Sequence, residues 1–170
     1  MNSTNQIIFY VNGKKQQVSG ANTFIPLADY LRNQIFLTGT KVVCAEGDCG
    51  SCTVLKATAN KNRDVVQFRS MNACIAFVFQ LHGSHIITVE VQQIDRQTPN
   101  EIQQSMIDNF GSQCGYCTPG FINSLADLFE NEKEITRQRI KNYCTGNLCR
   151  CTGYQNIVRA IEAAAAEMTA

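Results

Sequence analysis

The sequence predicts an α+β protein in which a β-rich first half is followed by a helical second half. Before about residue 91, short apolar runs alternate with turn residues, which is the pattern of strands. Beyond that point, apolar residues recur with the spacing of amphipathic helices. A polar connection at residues 92–99, ending at a proline, separates the two patterns. We therefore expect two domains, at residues 1–91 and 92–170.

The first half carries the strand signals. Residues 7–11 form a short apolar run, Asn12 and Gly13 are a hairpin signal, and residues 14–18 can return as a second strand. Further strands are expected at residues 53–58, 65–69 and 85–91.

Two other segments of the first half are not simple strands. Pro26 fits the first turn of a helix whose apolar face is formed by Leu27, Tyr30 and Leu31. Residues 73–81 are mostly apolar and fit either a strand or a helix.

The second half contains four segments with helical character. The apolar faces of the first three are Ile102, Met106, Ile107 and Phe110; Phe121, Leu125, Leu128 and Phe129; and Ile140 with Tyr143 within residues 136–143. The fourth segment, residues 157–168, includes a run of four alanines, the strongest helix former.

Composition narrows the classes of function. The chain has 170 residues, of which 44% are hydrophobic and 17% charged, as in an ordinary globular protein. Its net charge of +1 gives no electrostatic reason to bind nucleic acid or an acidic membrane, so we expect neither partner. The apolar run at residues 73–81 is too short for a membrane span.

Nine cysteines are the most unusual feature of the composition. The N-terminal residues lack the basic start and apolar core of a secretory signal, so we expect a cytoplasmic protein. Thiols stay reduced in that compartment, which favours metal binding over disulfides. No Ser/His/Asp or Cys/His pattern stands out, and we therefore expect no catalytic residue in this chain.

The first cysteine group is Cys44, Cys49 and Cys52, with Cys74 further along the chain. This is the plant-type ferredoxin spacing for a [2Fe–2S] cluster. Three thiolates on one loop must converge on the iron pair, and Gly47 and Gly50 allow the backbone to wrap closely around it. A zinc site remains an alternative, although zinc ligands more often come from two short knuckles. Cys74 is the only other cysteine in this half.

The second cysteine group combines a Cys-x2-Cys pair, Cys114 and Cys117, with a Cys-x-Cys pair, Cys149 and Cys151. Both pairs lie near expected helix ends, where helix N-termini stabilise thiolates. The residues by themselves leave zinc and iron–sulfur almost equally possible here. The ninth cysteine, Cys144, could supply another ligand, but we expect it to be a small apolar residue near a helix end.

Four linked motifs, CAEGDCGSCTV, RSMNACI, GSQCGYCTPGF and GNLCRCTGY, resemble the iron–sulfur part of the molybdenum hydroxylases. Within that family the xanthine dehydrogenases are the most similar, and the likeness extends from about residue 7 to about residue 160. The resemblance implies a β-grasp ferredoxin-like domain followed by a four-helix-bundle domain, each holding one [2Fe–2S] cluster.

The resemblance also implies a role for individual residues. The ligands of the first cluster would be Cys44, Cys49, Cys52 and Cys74, and those of the second cluster would be Cys114, Cys117, Cys149 and Cys151. Gln113 and Cys151 would lie against the molybdopterin. Val43 departs from the family pattern, since many members have glycine before the first ligand.

The implied function is electron transfer from a molybdopterin centre through the two clusters to FAD. Molybdopterin-binding and FAD-binding subunits or domains would then be the partners, because their sequences are absent from this chain. The chain would be the iron–sulfur component of an oxidoreductase and would lack the substrate site. Two rival hypotheses are a structural module held by two zinc ions and a freely diffusing ferredoxin, the latter disfavoured by the second domain.

Overall fold

The computed structural model describes residues 6–59, 66–92 and 98–168. Within this part of the chain, five strands form one sheet and five helices pack around it. The strands are β1 (Gln6–Val11), β2 (Lys14–Ser19), β3 (Thr53–Ala59), β4 (Val66–Asn72) and β5 (His85–Ile87). The helices are α1 (Leu27–Asp29, continued by a π-helical turn at Tyr30–Gln34), α2 (Glu101–Asp108), α3 (Thr118–Asn131), α4 (Arg137–Cys144) and α5 (Gln155–Met168).

The sheet is mixed, with the strand order β2-β1-β5-β3-β4. The predicted hairpin is confirmed: β1 and β2 are antiparallel, and Asn12 and Gly13 between them have φ values of 52° and 77°. Both residues of this turn need positive φ, which asparagine and glycine tolerate best. β5 then pairs with β1 in parallel and with β3 in antiparallel orientation.

The first hydrophobic core lies between this sheet and α1. Phe9, Leu27, Leu31, Val54 and Ile86 are completely buried in it. Full burial of one such side chain contributes about 1.5–3 kcal/mol, so these residues stabilise the packing of α1 on the sheet.

Two predictions for the first half need correction. The strand expected at residues 85–91 ends at Ile87, because Thr88 exchanges hydrogen bonds with the side chain of Asn12 and residues Val89–Val91 form a helical turn. Residues 73–81 are neither a strand nor an α-helix. The carbonyls of Ala73 and Ala76 instead accept hydrogen bonds from the first N–H groups of α1, at 2.9 and 2.6 Å, and a helical turn follows. These carbonyls satisfy helix donors that would otherwise lack partners.

The predicted helices of the second half are confirmed as α2 to α5, but Ile107 and Phe110, expected on the apolar face of the first, are exposed, and α2 ends before Phe110. α2 begins at a capping box, in which Asn100 and Gln103 bond each other's backbone N–H groups with their side chains. At the start of α4, the hydroxyl of Thr136 caps the helix by accepting a hydrogen bond from the N–H of Arg139. A second core joins the helices through Phe121, Leu125, Leu128, Ile140, Ile157 and Ile161. None of the described helices is long and apolar enough to cross a membrane.

One face of α3 pairs with the backbone of the sheet. Asn123 donates to the carbonyl of Thr53 at 2.7 Å, Asp127 accepts from the N–H of Ser70 at 2.6 Å, and Asn131 donates to the carbonyl of Phe68 at 2.9 Å. We call these three helix residues, which recur every fourth position, the α3 polar stripe. Ser70 and Phe68 belong to β4, an edge strand, so Asp127 and Asn131 satisfy backbone groups that the sheet leaves unpaired, while Asn123 binds the first residue of β3.

The predicted connection at residues 92–99 lies mostly outside the described residues. The division into domains at residues 1–91 and 92–170 therefore stays a prediction, and so does the start of the strand expected at residue 65.

Candidate metal centres

The first cysteine group lies on the loop between α1 and β3, where the backbone turns repeatedly. Ala45, Gly47 and Gly50 have φ values of 61°, 84° and 70°. Val43, in contrast, is not among the described residues with positive φ, so the position before Cys44 does not require glycine in this chain.

Backbone N–H groups of this loop point at the sulfur of Cys44. Hydrogen bonding by the N–H of Glu46, then of Cys49, lowers the pKa of the Cys44 thiol to about 6. The Cys49 N–H lies 3.4 Å from the sulfur. A thiolate at Cys44 is therefore stabilised before any metal arrives, as expected for a loop of converging amides.

Two glycines of the loop occupy positions where a side chain would collide. A Cβ on Gly47 would lie 2.6 Å from Cδ1 of Ile75, and a Cβ on Gly50 would lie 2.1 Å from the carbonyl oxygen of Gly146. Close approach as well as positive φ thus explains these glycines.

Cys74 follows β4 and is brought to Cys52 by the fold. The N–H of Ala73 donates to the carbonyl of Cys52 at 3.2 Å, and the thiols of Cys52 and Cys74 are hydrogen-bonded. Burial raises the pKa of Cys52 to about 12. A thiolate buried this way needs a cation beside it, so metal binding and loss of the thiol proton occur together.

The second group lies where α3 begins and where the loop between α4 and α5 ends. Cys117 immediately precedes α3, and Cys149 and Cys151 precede α5. The sulfur atoms of Cys114 and Cys151 are 3.6 Å apart, and the thiols of Cys117 and Cys149 are hydrogen-bonded. The structure thus brings together two cysteine pairs that are far apart along the chain.

The surroundings of these four thiols differ. Burial raises the pKa of Cys117 to about 12, and hydrogen bonding to Cys114 raises the pKa of Cys151. Burial opposes ionisation of Cys149 as well, but hydrogen bonds from Thr152, Cys151 and Cys117 together outweigh it and lower the Cys149 pKa. The hydroxyl of Thr152 is 3.1 Å from the Cys149 sulfur.

The thiols at both places are arranged in pairs: Cys44 with Cys49, Cys52 with Cys74, Cys114 with Cys151, and Cys117 with Cys149. A tetrahedral metal ion with bonds of about 2.3 Å to sulfur holds two thiolates about 3.8 Å apart, close to the Cys114–Cys151 separation. Among the described residues, no three Cys, His, Asp or Glu side chains are grouped tightly enough for one shared ion. Two pairs at each place fit a binuclear cluster, in which each iron takes two thiolates.

Cys144 occupies a different position from the other eight cysteines. It is buried at the end of α4 as part of the second hydrophobic core, and burial raises its pKa to about 11. These surroundings match the expectation of a small apolar residue.

Gln113 and Cys151 lie at the exposed end of the second group. Gln113 is exposed, and its neighbour Cys114 is the partner of Cys151, which is also exposed. The four thiols of the group themselves line a groove of about 340 Å³, together with Val43, Tyr116 and Leu148. Both residues are thus available to a molecule that covers this end.

The two cysteine groups are joined by hydrogen bonds that the sequence does not predict. The N–H of Leu148 donates to the carbonyl of Cys49 at 2.9 Å, and the side chain of Asn147 donates to the carbonyl of Gly50 at 2.9 Å. The hydroxyl of Ser124 in turn donates to Asn147 at 2.6 Å. The only signal in the sequence is that a polar Ser124 interrupts the apolar stripe of α3, and this signal does not identify its partner.

Models of two protein families match the chain. One, described as a 2Fe-2S iron-sulfur cluster binding domain, matches residues 9–79. The other, described as a [2Fe-2S] binding domain, matches residues 88–162.

Curated relatives are long oxidoreductases. The xanthine dehydrogenase of Emericella nidulans is 43% identical over 157 residues, which are 92% of this chain and 11% of the relative. The xanthine dehydrogenase/oxidase of Felis catus is 38% identical over 92% of this chain and 12% of its own length. The chain therefore spans only a small part of these relatives.

Solved structures show the same similarity. Quinoline 2-oxidoreductase from Pseudomonas putida 86 contains a chain that is 34% identical with a TM-score of 0.80, and the match covers 95% of this chain and 93% of that one. Aldehyde oxidoreductase from Desulfovibrio gigas is 31% identical with a TM-score of 0.83, over 96% of this chain and 17% of that one.

Proposed function

Since the chain belongs to the iron–sulfur family of the molybdenum hydroxylases, we propose that it transfers single electrons within an oxidoreductase of the xanthine dehydrogenase type. In this proposal electrons pass from a molybdopterin centre through two [2Fe–2S] clusters to FAD. The chain itself contributes the clusters and no substrate site.

The observation that carries the proposal is the pairing of eight thiols in two groups whose loops touch. We propose that Cys44, Cys49, Cys52 and Cys74 hold one cluster and that Cys114, Cys117, Cys149 and Cys151 hold the other. A bound [2Fe–2S] cluster accepts and releases one electron at a time, at a potential set by hydrogen bonds to its sulfurs and by exposure. The backbone hydrogen bond from Leu148 to Cys49 joins a neighbour of one group to a member of the other.

The protein's residues prepare each site for its cluster. At the first site, amide groups directed at Cys44 stabilise negative charge on its sulfur. At the second site, the Thr152 hydroxyl has the same effect on Cys149. Burial of Cys52 and Cys149 closes the inner side of each group to water.

The partners follow from the same proposal. Molybdopterin-binding and FAD-binding subunits or domains would complete the enzyme, and Gln113 and Cys151, which are exposed, would lie against the molybdopterin. We further propose that the first half is a β-grasp domain and the second a four-helix bundle, divided near residue 91, and that the enzyme works in the cytoplasm.

Metal analysis of the protein as isolated, with the polypeptides that accompany it, tests the proposal. We expect a reddish-brown protein with about four irons per copy of this chain and an equal amount of acid-labile sulfide, because each of two clusters contains two irons and two sulfides. Flavin and molybdopterin should be present in the same preparation. Colourless protein with stoichiometric zinc would instead support a structural module, and iron–sulfur protein without flavin or molybdopterin would support a freely diffusing ferredoxin.

A further inference from the structure

A buried junction of polar groups lies between the two candidate cluster sites. At its centre, Asn147 is only 1% exposed. Its amide nitrogen donates to the carbonyl of Gly50, and its amide oxygen accepts from the hydroxyl of Ser124. Three parts of the chain meet here. They are the loop that carries Cys44, Cys49 and Cys52, which we call the first cysteine loop, helix α3, and the loop that leads to Cys149.

The junction matters because Asn147 and its partner Gly50 each lie close in sequence to candidate ligands of a different site. Asn147 stands two residues before Cys149, while Gly50 stands between Cys49 and Cys52. One side chain therefore ties a loop of the first site to a loop of the second. The neighbouring bond from Leu148 to the Cys49 carbonyl lies directly beside it.

The amide can make these bonds in only one orientation. Reversing it would place its oxygen against the Gly50 carbonyl and its NH₂ group against the Ser124 hydroxyl. The Gly50 carbonyl would keep its bonds from the N–H and the hydroxyl of Thr53, at 3.1 and 2.7 Å, but the reversed amide oxygen would have no donor there. Leaving a buried polar group without a partner costs about 1–3 kcal/mol, so the observed orientation is favoured. The Asn147 nitrogen also lies only 2.9 Å from where a Cβ on Gly120 would stand, so α3 limits its movement.

We propose that Asn147 is a positioning residue that fixes the separation of the two [2Fe–2S] clusters. This inference rests on the proposed function, because it assumes that both groups of thiolates bind clusters. The side chain of Asn147 bonds to Gly50 and Ser124, which are not candidate ligands, so it acts through the backbone of Gly50. Ser124 supports it by fixing the orientation of the amide.

The experiment compares variants by electron paramagnetic resonance of the reduced enzyme as isolated. The dipolar interaction between two reduced clusters falls with the cube of their separation, so the splitting of their low-temperature signals reports their spacing. Asn147→Ala removes both hydrogen bonds, and Asn147→Asp keeps the acceptor for Ser124 but loses the donor to Gly50. Asn142→Ala, at an exposed asparagine of α4, is the matched control.

We expect both Asn147 variants to retain about four irons per chain and both cluster signals. The splitting of these signals should become smaller, and the split lines should become broader. Asn142→Ala should leave the splitting unchanged. If Asn147→Ala does not load its clusters, Ser124→Ala provides the milder change and should reduce the splitting to a lesser extent. Full iron content with an unchanged splitting in Asn147→Asp and Ser124→Ala would overturn the positioning role. A wild-type enzyme with no iron–sulfur signals would instead overturn the proposed function.

Discussion

Individual thiols in this chain differ mainly in how deeply they are buried. Cys52 and Cys149 are buried, whereas Cys114 and Cys151 are exposed. Each candidate site therefore has an inner side closed by the protein, and the second site also has an outer side that another surface can reach.

The ligand assignment predicts two independent losses. Cys52→Ala and Cys117→Ala should each reduce the iron content from about four to about two per chain and remove one of two distinct paramagnetic signals. The reason is that each change removes one thiolate from a different pair of irons. Iron analysis and electron paramagnetic resonance on the two variants check this. Loss of both signals from either substitution would contradict separate sites.

Cys144 should behave as a core residue. Cys144→Ser should leave iron content unchanged, and a halved content would show that this thiol is a ligand. With a pKa of about 11, only about one thiol in a thousand is ionised at pH 8, against roughly a quarter of ordinary cysteines. Alkylation of Cys144 in the native protein should therefore be slow and should accelerate on unfolding, as measured by mass spectrometry after iodoacetamide treatment.

At this scale the sequence predicts the cysteines better than the residues around them. Thiolate ligands have few substitutes, so their spacing is visible in the sequence. Asn147 and Ser124 are ordinary polar residues whose burial depends on how α3 meets the first cysteine loop. No local pattern contains that information, because the partners are distant along the chain.

Among the elements, α3 has the most demanding position. Its apolar side contributes Phe121, Leu125 and Leu128 to the helical core, while the α3 polar stripe faces the sheet. A helix that is buried on two sides has to satisfy the polar groups it meets, and α3 does so with amide and carboxylate side chains.

Removal of the central residue of the stripe should be costly. Asp127→Ala leaves the N–H of Ser70 without its partner and removes an acceptor of Asn131, so we expect a loss of about 1–3 kcal/mol in stability. The thermal midpoint should fall by several degrees, at roughly 2–4 °C per kcal/mol for a chain of this length. Asp108→Ala, at an exposed position of α2, is the control and should change the midpoint little. Equal midpoints for the two variants would contradict the role assigned to the stripe.

Helices were predicted more accurately than strand ends. All four helical segments of the second half are present, because an amphipathic pattern over two or more turns is a strong local signal. The strand expected to reach residue 91 stops at Ile87, since the N–H of Thr88 donates to the side chain of a distant residue, Asn12, instead of to a neighbouring strand. β-structure depends on such distant partners, and the sequence does not reveal them.

For the whole molecule, the decisive feature is how closely the two halves approach. A Cβ on Gly120 of α3 would lie 2.2 Å from the carbonyl oxygen of Gly50, so backbone meets backbone there. This contact gives the junction around Asn147 its fixed geometry.

Two glycine substitutions separate this contact from general effects of glycine replacement. Gly120→Ala should destabilise the protein by about 1–3 kcal/mol, because the new methyl group must displace the first cysteine loop. Gly146→Ala adds the same group where nothing lies within 4 Å, so it should be neutral or stabilising by up to about 1 kcal/mol. Neither glycine has positive φ, and backbone strain therefore does not confuse the comparison. Thermal midpoints that change equally in both variants would show that the halves do not need this close approach.

The α3 polar stripe recognises the sheet mainly through main-chain atoms, two carbonyls and one N–H, and the exposed side chain of Arg69 adds one ion pair to Asp127 at 3.9 Å. Substitutions on the outward side chains of β3 and β4 would leave these atoms in place as long as the strands keep their course. A first half transplanted from a relative with different strand residues should therefore still dock against this α3. Interchangeable halves of this kind would make hybrid proteins with altered cluster potentials feasible to build.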